Sequence, residues 1–189
     1  MKTFATVAFV CAAMLPAAAL AQAITLKPAS PQPSGLSKGL AVSYASLPSG
    51  ARALKDAERA LKKAEPGAPL RGLSYDDTVE GTPTLTSGKA QFVAARISGY
   101  IKFDNAGSYV LDFLNNDGLA LSIGGQQVAD YDGVHACGYA GEVEVAVPQA
   151  GYYALEATYF QRKGTACLMM EWGADADSLD FVPDSAFYH

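Results

Sequence analysis

From Phe92 onward, apolar and polar residues alternate with a period of two, the signature of half-buried strands. Ile97, Gly99, Ile101 and Phe103 fall on one face of the first run, Tyr109, Leu111 and Phe113 on one face of the second, and Leu119, Leu121 and Ile123 on one face of the third. Three further runs follow, marked by Val143, Val145 and Val147, by Tyr153, Leu155, Ala157 and Tyr159, and by Leu168, Met170 and Trp172. Turn-forming residues separate the early runs: Asn105-Ala106-Gly107, Asn116-Asp117-Gly118 and Gly124-Gly125, the last pair able to take positive φ in a tight hairpin. Short strands with regular turns predict an all-β, antiparallel sandwich or barrel.

The first half of the chain reads differently. Ala51 to Ala64 carries Leu54, Ala57, Leu61 and Ala64 at helical spacing, with Lys55, Asp56, Arg59, Lys62 and Lys63 around the rest. This predicts one short helix, supported by a Glu58 to Lys62 pair and ended by Pro66-Gly67. Gly39 to Tyr44 reads as the first strand. Residues 24–38 hold Pro28, Pro31, Pro33 and several serines, a composition expected to stay extended and solvated as a linker. Residues 1–23, with Lys2, an apolar stretch from Val7 to Ala19 and small residues near Ala21, read as an export signal. The apolar stretch is too short for a bilayer span and Pro16 interrupts it, so no membrane anchor is expected after cleavage. The domain is then assigned to 39–189, and the protein to the periplasm or the outside of the cell.

Charge narrows the partners. Acidic residues outnumber basic ones, 19 to 14, and no basic stripe is present, which argues against nucleic acid and anionic lipid. With Cys11 in the export segment, Cys137 and Cys167 remain. In an exported chain they most simply form one disulfide, with two buried free thiols as the alternative.

Catalytic chemistry finds little support. Gly35-Leu36-Ser37-Lys38-Gly39 spells a nucleophile motif, but in a Pro-rich stretch ahead of a strand rather than at a strand-to-helix elbow. His135 and His189 are the only histidines, a poor supply of bases for a triad or of ligands for zinc. No enzyme activity is expected. Oxygen ligands are better supplied, by Asn115, Asn116 and Asp117 on one turn and Asp130 and Asp132 on another. The Gly-rich stretch Asp130 to Gly141 adds Tyr131, His135 and Tyr139, whose rings can stack on sugars or on a partner protein.

The succession GYIKF, AGSYVLDF, NNDG, LALSIGG, VEVAVPQAG, YYALEATYF and ACLMMEW, closed by Val182-Pro183-Asp184-Ser185-Ala186-Phe187-Tyr188, resembles the PA14 domain. The resemblance covers roughly Gly39 to Tyr188. It implies a β-sandwich used mostly for glycan binding or adhesion and carrying no catalysis. In glycan-binding members, paired aspartates of an Asp-Asp-Gly turn hold a calcium ion that binds sugar hydroxyls; by resemblance Asn116 and Asp117 take those two positions. Asn116 keeps a carbonyl ligand but removes a negative charge that tunes calcium affinity. The expected ligand-binding set is Asn116, Asp117, Gly118, Asp130, Tyr131, Asp132, His135 and Tyr139, with Asn116 and Asp117 as the metal ligands. The expected partner is a glycan or cell-envelope component; the alternative is a structural or adhesive envelope protein that binds another protein through the same loops.

Overall fold

The computed structural model describes residues 23–189; the expected export signal lies, save Ala23, outside the described residues. Among them the chain forms β1 (Ile24–Thr25), β2 (Ala41–Ser46), α1 (Leu54–Ala60), β3 (Glu65–Pro66), β4 (Ser74–Tyr75), β5 (Val93–Phe103), β6 (Gly107–Asn116) and β7 (Gly118–Ile123). Then come β8 (Gln126–Tyr131), β9 (Gly138–Tyr139), β10 (Val143–Val147), β11 (Gly151–Gln161), β12 (Cys167–Gly173), β13 (Asp180–Phe181) and β14 (Phe187–Tyr188). They make two seven-stranded sheets packed as a sandwich. Sheet A runs β1-β10-β6-β12-β13, with β4 on β12 and β9 on β6; sheet B runs β3-β2-β5-β11-β7-β8, with β14 on β5.

The alternation explains the core. Ile97, Ile101 and Phe103 of β5, Leu111 and Phe113 of β6, and Leu119 and Ile123 of β7 have no exposed surface. Each such side chain removed from water stabilises by roughly 1.5–3 kcal/mol. Phe103 meets Tyr153, Tyr109 and Trp172 with ring centroids 5.0–5.5 Å apart, so Phe103→Ala would open a large gap between the sheets. Gly124 and Gly125 take φ of 57° and 72° between β7 and β8, as the hairpin requires.

The helix is shorter than its pattern. α1 is regular from Leu54 to Ala60 and tightens into a 3-10 turn over Leu61–Lys63. Leu54, Ala57 and Leu61 pack on Ala94 and Phe160, on the outer side of sheet B. No side chain of its own caps the N-terminus. Instead Asp132 Oδ1, from a distant loop, accepts the Leu54 N–H at 2.6 Å, which satisfies one of the amides a helix start leaves open.

The stretch expected to be a solvated linker is packed. Ile24–Thr25 pairs in parallel with β10, Leu26 is 1% exposed in the core, and the Gln32 amide exchanges hydrogen bonds with the Tyr152 backbone. Ser37 and His189 pair backbone to backbone. Proline and serine gave the extended backbone correctly, but Ile24 and Leu26 are enough to dock it.

Candidate functional site

The turn that carries the candidate chemistry joins the central strand of sheet A to sheet B, and it is interior. Asn115, Asn116 and Asp117 are 0%, 5% and 2% exposed. The Asp117 carboxylate takes one backbone N–H on each oxygen: His135 donates to Oδ1 at 3.1 Å and Arg162 to Oδ2 at 2.6 Å. The Asp117 N–H donates to Phe160 O at 2.8 Å, the Asn115 side-chain amide donates to Asp117 O, and the Tyr159 hydroxyl donates to Asn116 O. The Asn116–Asp117 peptide is cis. Gly118 is needed for space: a Cβ there would lie 2.4 Å from the Phe160 ring.

Over this turn lies the loop between β8 and β9, and it is tied down along its length. Asp132 is bonded to the start of α1 and His135 to Asp117. Cys137 forms a disulfide with Cys167, the cross-strand partner of Asn116, and Gly138–Tyr139 then pairs with β6. The His135 imidazole stacks on Tyr131 with centroids 4.0 Å apart. Tyr139 is 57% exposed.

The candidate residues therefore divide four ways. Asn116, Asp117 and Gly118 lie beneath the loop. Tyr131 and His135 lie above them. Tyr139 stands beyond, against a cavity of about 600 Å3 on the outer side of sheet A, beside Asp112 and Glu171. Asp130 and Asp132 point away from it, into a groove between α1 and sheet B. Two residues that sequence reasoning passed over have defined places here. Arg162 holds Asp117 through its main chain, for which no side-chain signal exists. Asp112, 5% exposed, accepts the Gly141 N–H at 3.1 Å; a carboxylate in the middle of an apolar strand was the available signal.

Burial pushes the Asp117 carboxyl above the usual carboxylate range, while the amide bonds from Arg162 and His135, and the charges of those residues, pull it back. Burial likewise raises Glu171, with Asp112 and Asp180 adding to it.

The turn is short of negative charge for calcium. That ion takes six to eight oxygen ligands and its affinity follows their charge. Asn115 Oδ1 and Asn116 Oδ1 are buried without a donor, which a cation would satisfy. Against this, the turn brings a single carboxylate, each of whose oxygens holds one backbone amide, and it is buried. A second grouping, Asp77 with Cys137 and Cys167, offers no thiolate, since both sulfurs are in the disulfide.

Comparison with known proteins agrees with this architecture. No curated protein matches the chain. Among solved structures, the PA14 domain of the MpAFP antifreeze protein superposes with a TM-score of 0.67 at 20% identity, over 82% of this chain and 92% of that one. The PA14 sugar-binding domain of an RTX adhesin gives 0.64 at 17%, over 80% and 98%. The Epithelial Adhesin 9 A domain from Candida glabrata, in complex with Galβ1-3GlcNAc, gives 0.64 at 16%, over 88% and 95%. At such identities the likeness is one of fold. The family model described as PA14 domain matches residues 74–184, from the strand that flanks β12 to the segment that closes the sandwich, and the chain belongs to that family.

Proposed function

We propose that the protein is an exported, non-catalytic module that binds carbohydrate with the side chains of the Asp130–Gly141 loop rather than through a metal in the turn below. The observation that carries this reading is the way the loop is held. A disulfide, a bond from its backbone to a buried carboxylate, and pairing of Tyr139 with the sheet together fix the Tyr131–His135 stack and the exposed Tyr139 before any ligand arrives. Fixing rings in advance lowers the ordering cost of binding, and tyrosine offers a flat apolar face with a polar edge suited to pyranose rings. Sugar-binding and glycan-bound relatives of the same fold support the substrate class. The disulfide agrees with an oxidising compartment outside the cytoplasm.

A glycan array that includes Galβ1-3GlcNAc tests it. Wild type should retain at least one glycan that Tyr131→Ala and Tyr139→Ala both lose while keeping the wild-type melting temperature. An array with no retained glycan, or retention unaffected by both substitutions, sinks the proposal.

A further inference from the structure

The covalent tie of the loop has a neighbour that the oxidised protein does not use. The Asp77 carboxylate and the sulfurs of Cys137 and Cys167 lie within 4.8 Å of one another. A disulfide carries no hydrogen to donate, so it gives a carboxylate nothing to bind. Asp77 takes part in no ion pair among the described residues either. Its place beside the sulfurs acquires chemistry only when they are reduced.

Backbone contacts hold the three residues together independently of the S–S bond. Thr78, next to Asp77, is tied twice to Ala166, next to Cys167: its N–H donates to Ala166 O at 3.0 Å, and its Oγ1 accepts the Ala166 N–H at 3.0 Å. Cys167 itself pairs with Asn116 on β6. Beyond Cys137, Gly138–Tyr139 pairs with the same strand, and the Ala140 N–H donates to Phe113 O at 2.7 Å. The two Cα atoms, 5.9 Å apart, therefore have anchors that survive cutting of the bond. Access is graded. Cys167 is fully buried, Cys137 partly exposed and Asp77 exposed, so the group opens to solvent at the carboxylate.

Reduction by a dithiol breaks the S–S bond with two electrons; each sulfur gains a proton, and the reductant closes to its own disulfide. Two thiols and a carboxylate then face one another. Zinc and ions like it take such ligands in a tetrahedron, at about 2.3 Å to sulfur and 2.0–2.2 Å to oxygen, which sets the ligand atoms about 3.6–3.8 Å apart. Asp77 must close by on the order of 1 Å to meet that geometry, and its side chain is exposed. Calcium and magnesium prefer all-oxygen sites, so thiolates select the softer ion. On binding, the thiols release their two protons to solvent. Among the described residues no further His, Cys, Asp or Glu joins the group, which leaves the fourth position to water.

We propose that reduced Cys137 and Cys167 hold one zinc-class ion together with Asp77. The loop is then stapled through the S–S bond when oxidised and through the metal when reduced. None of the three is a sugar ligand in the glycan reading, so either proposal survives failure of the other.

Metal titration of the full chain, reduced with a phosphine that is then removed without air, tests it. One zinc ion should bind per chain, and cobalt(II) in its place should give a sulfur-to-metal charge-transfer band with the visible bands of a tetrahedral site. The oxidised protein should give neither. Asp77→Asn, on an exposed side chain, should weaken zinc about tenfold or more and keep the charge-transfer band; Cys137→Ser should lose or diminish the band. The melting temperature of the reduced wild type should rise with the logarithm of zinc concentration, and that of Asp77→Asn only at about tenfold more zinc. No zinc on the reduced chain, one ion shared between two chains, equal affinity in Asp77→Asn, or the same cobalt spectrum from oxidised protein would overturn it. So would a reduced chain that unfolds and that zinc does not refold.

Discussion

The turn Asn115–Gly118 and the outer face of sheet B are built from similar polar residues and put them to opposite use. In the turn, one carboxylate is buried and each of its oxygens holds a main-chain amide from a different loop. On the sheet face, Glu58, Asp130 and Glu156 are exposed and form no ion pair among the described residues. A buried, satisfied carboxylate fixes the chain's path, because leaving its amide donors without an acceptor is costly; an exposed, unpaired one is free to meet a ligand. In this chain Asp117 bridges β6 to the loops that carry His135 and Arg162, the mechanical part a cation could have played.

Breaking the tied region should have the largest effects. Removing the disulfide with Cys137→Ala and Cys167→Ala should lower stability by about 3–4 kcal/mol, since the bond closes a loop with a sequence separation of 30. Urea unfolding with and without reductant measures it. Asp117→Ala strands two backbone amides and should cost about 2–3 kcal/mol, read in the same unfolding experiment, while adding calcium to wild type leaves the curve in place.

Asn116→Asp sharpens the contrast. A second buried carboxylate beside Asp117 should destabilise the chelated protein by about 1–3 kcal/mol through like-charge repulsion and desolvation. It should also produce a melting temperature that rises with calcium, where that of wild type is expected to stay level. Thermal melts in chelator and in calcium decide it.

The pH dependence of Asp117 has a definite sign. Its folded pKa lies above the unfolded one, so the folded state keeps a proton that the unfolded chain has released. The group's contribution is full below the unfolded value near ~3.9 and is lost as pH rises through the folded value. The stability difference between wild type and Asp117→Asn should therefore shift against wild type as pH rises across that window. The smallest effect belongs to the open face: Glu156→Ala should change stability by no more than about 0.5 kcal/mol.

The sandwich was legible because period-two burial is a strong local signal, and Ile97, Leu111, Leu119 and Tyr153 all lie where it placed them. The disulfide was legible from counting cysteines. The site was less so. That Asp117 is interior depends on main-chain amides of His135 and Arg162, which carry no residue-type signal, and on a fold that brings β11's end back over the turn. Asp130 and Asp132 were assigned to the same surface as Tyr139 because they are close in sequence. A strand end sends its neighbours to opposite sides, and Asp132 is spent partly on capping α1. The helix was read too long because its apolar spacing continues through Leu61 and Ala64, while the chain must tighten there to reach β3.

Calorimetric titration of a glycan retained on the array, in calcium and again in chelator, addresses the account directly. If side chains of the loop do the recognition and the turn serves as a tie, the affinity should agree within about twofold between the two conditions and vanish in Tyr139→Ala. Binding seen only in calcium, together with a melting temperature that climbs with the logarithm of calcium concentration, would contradict it and return the turn to the role of a metal site.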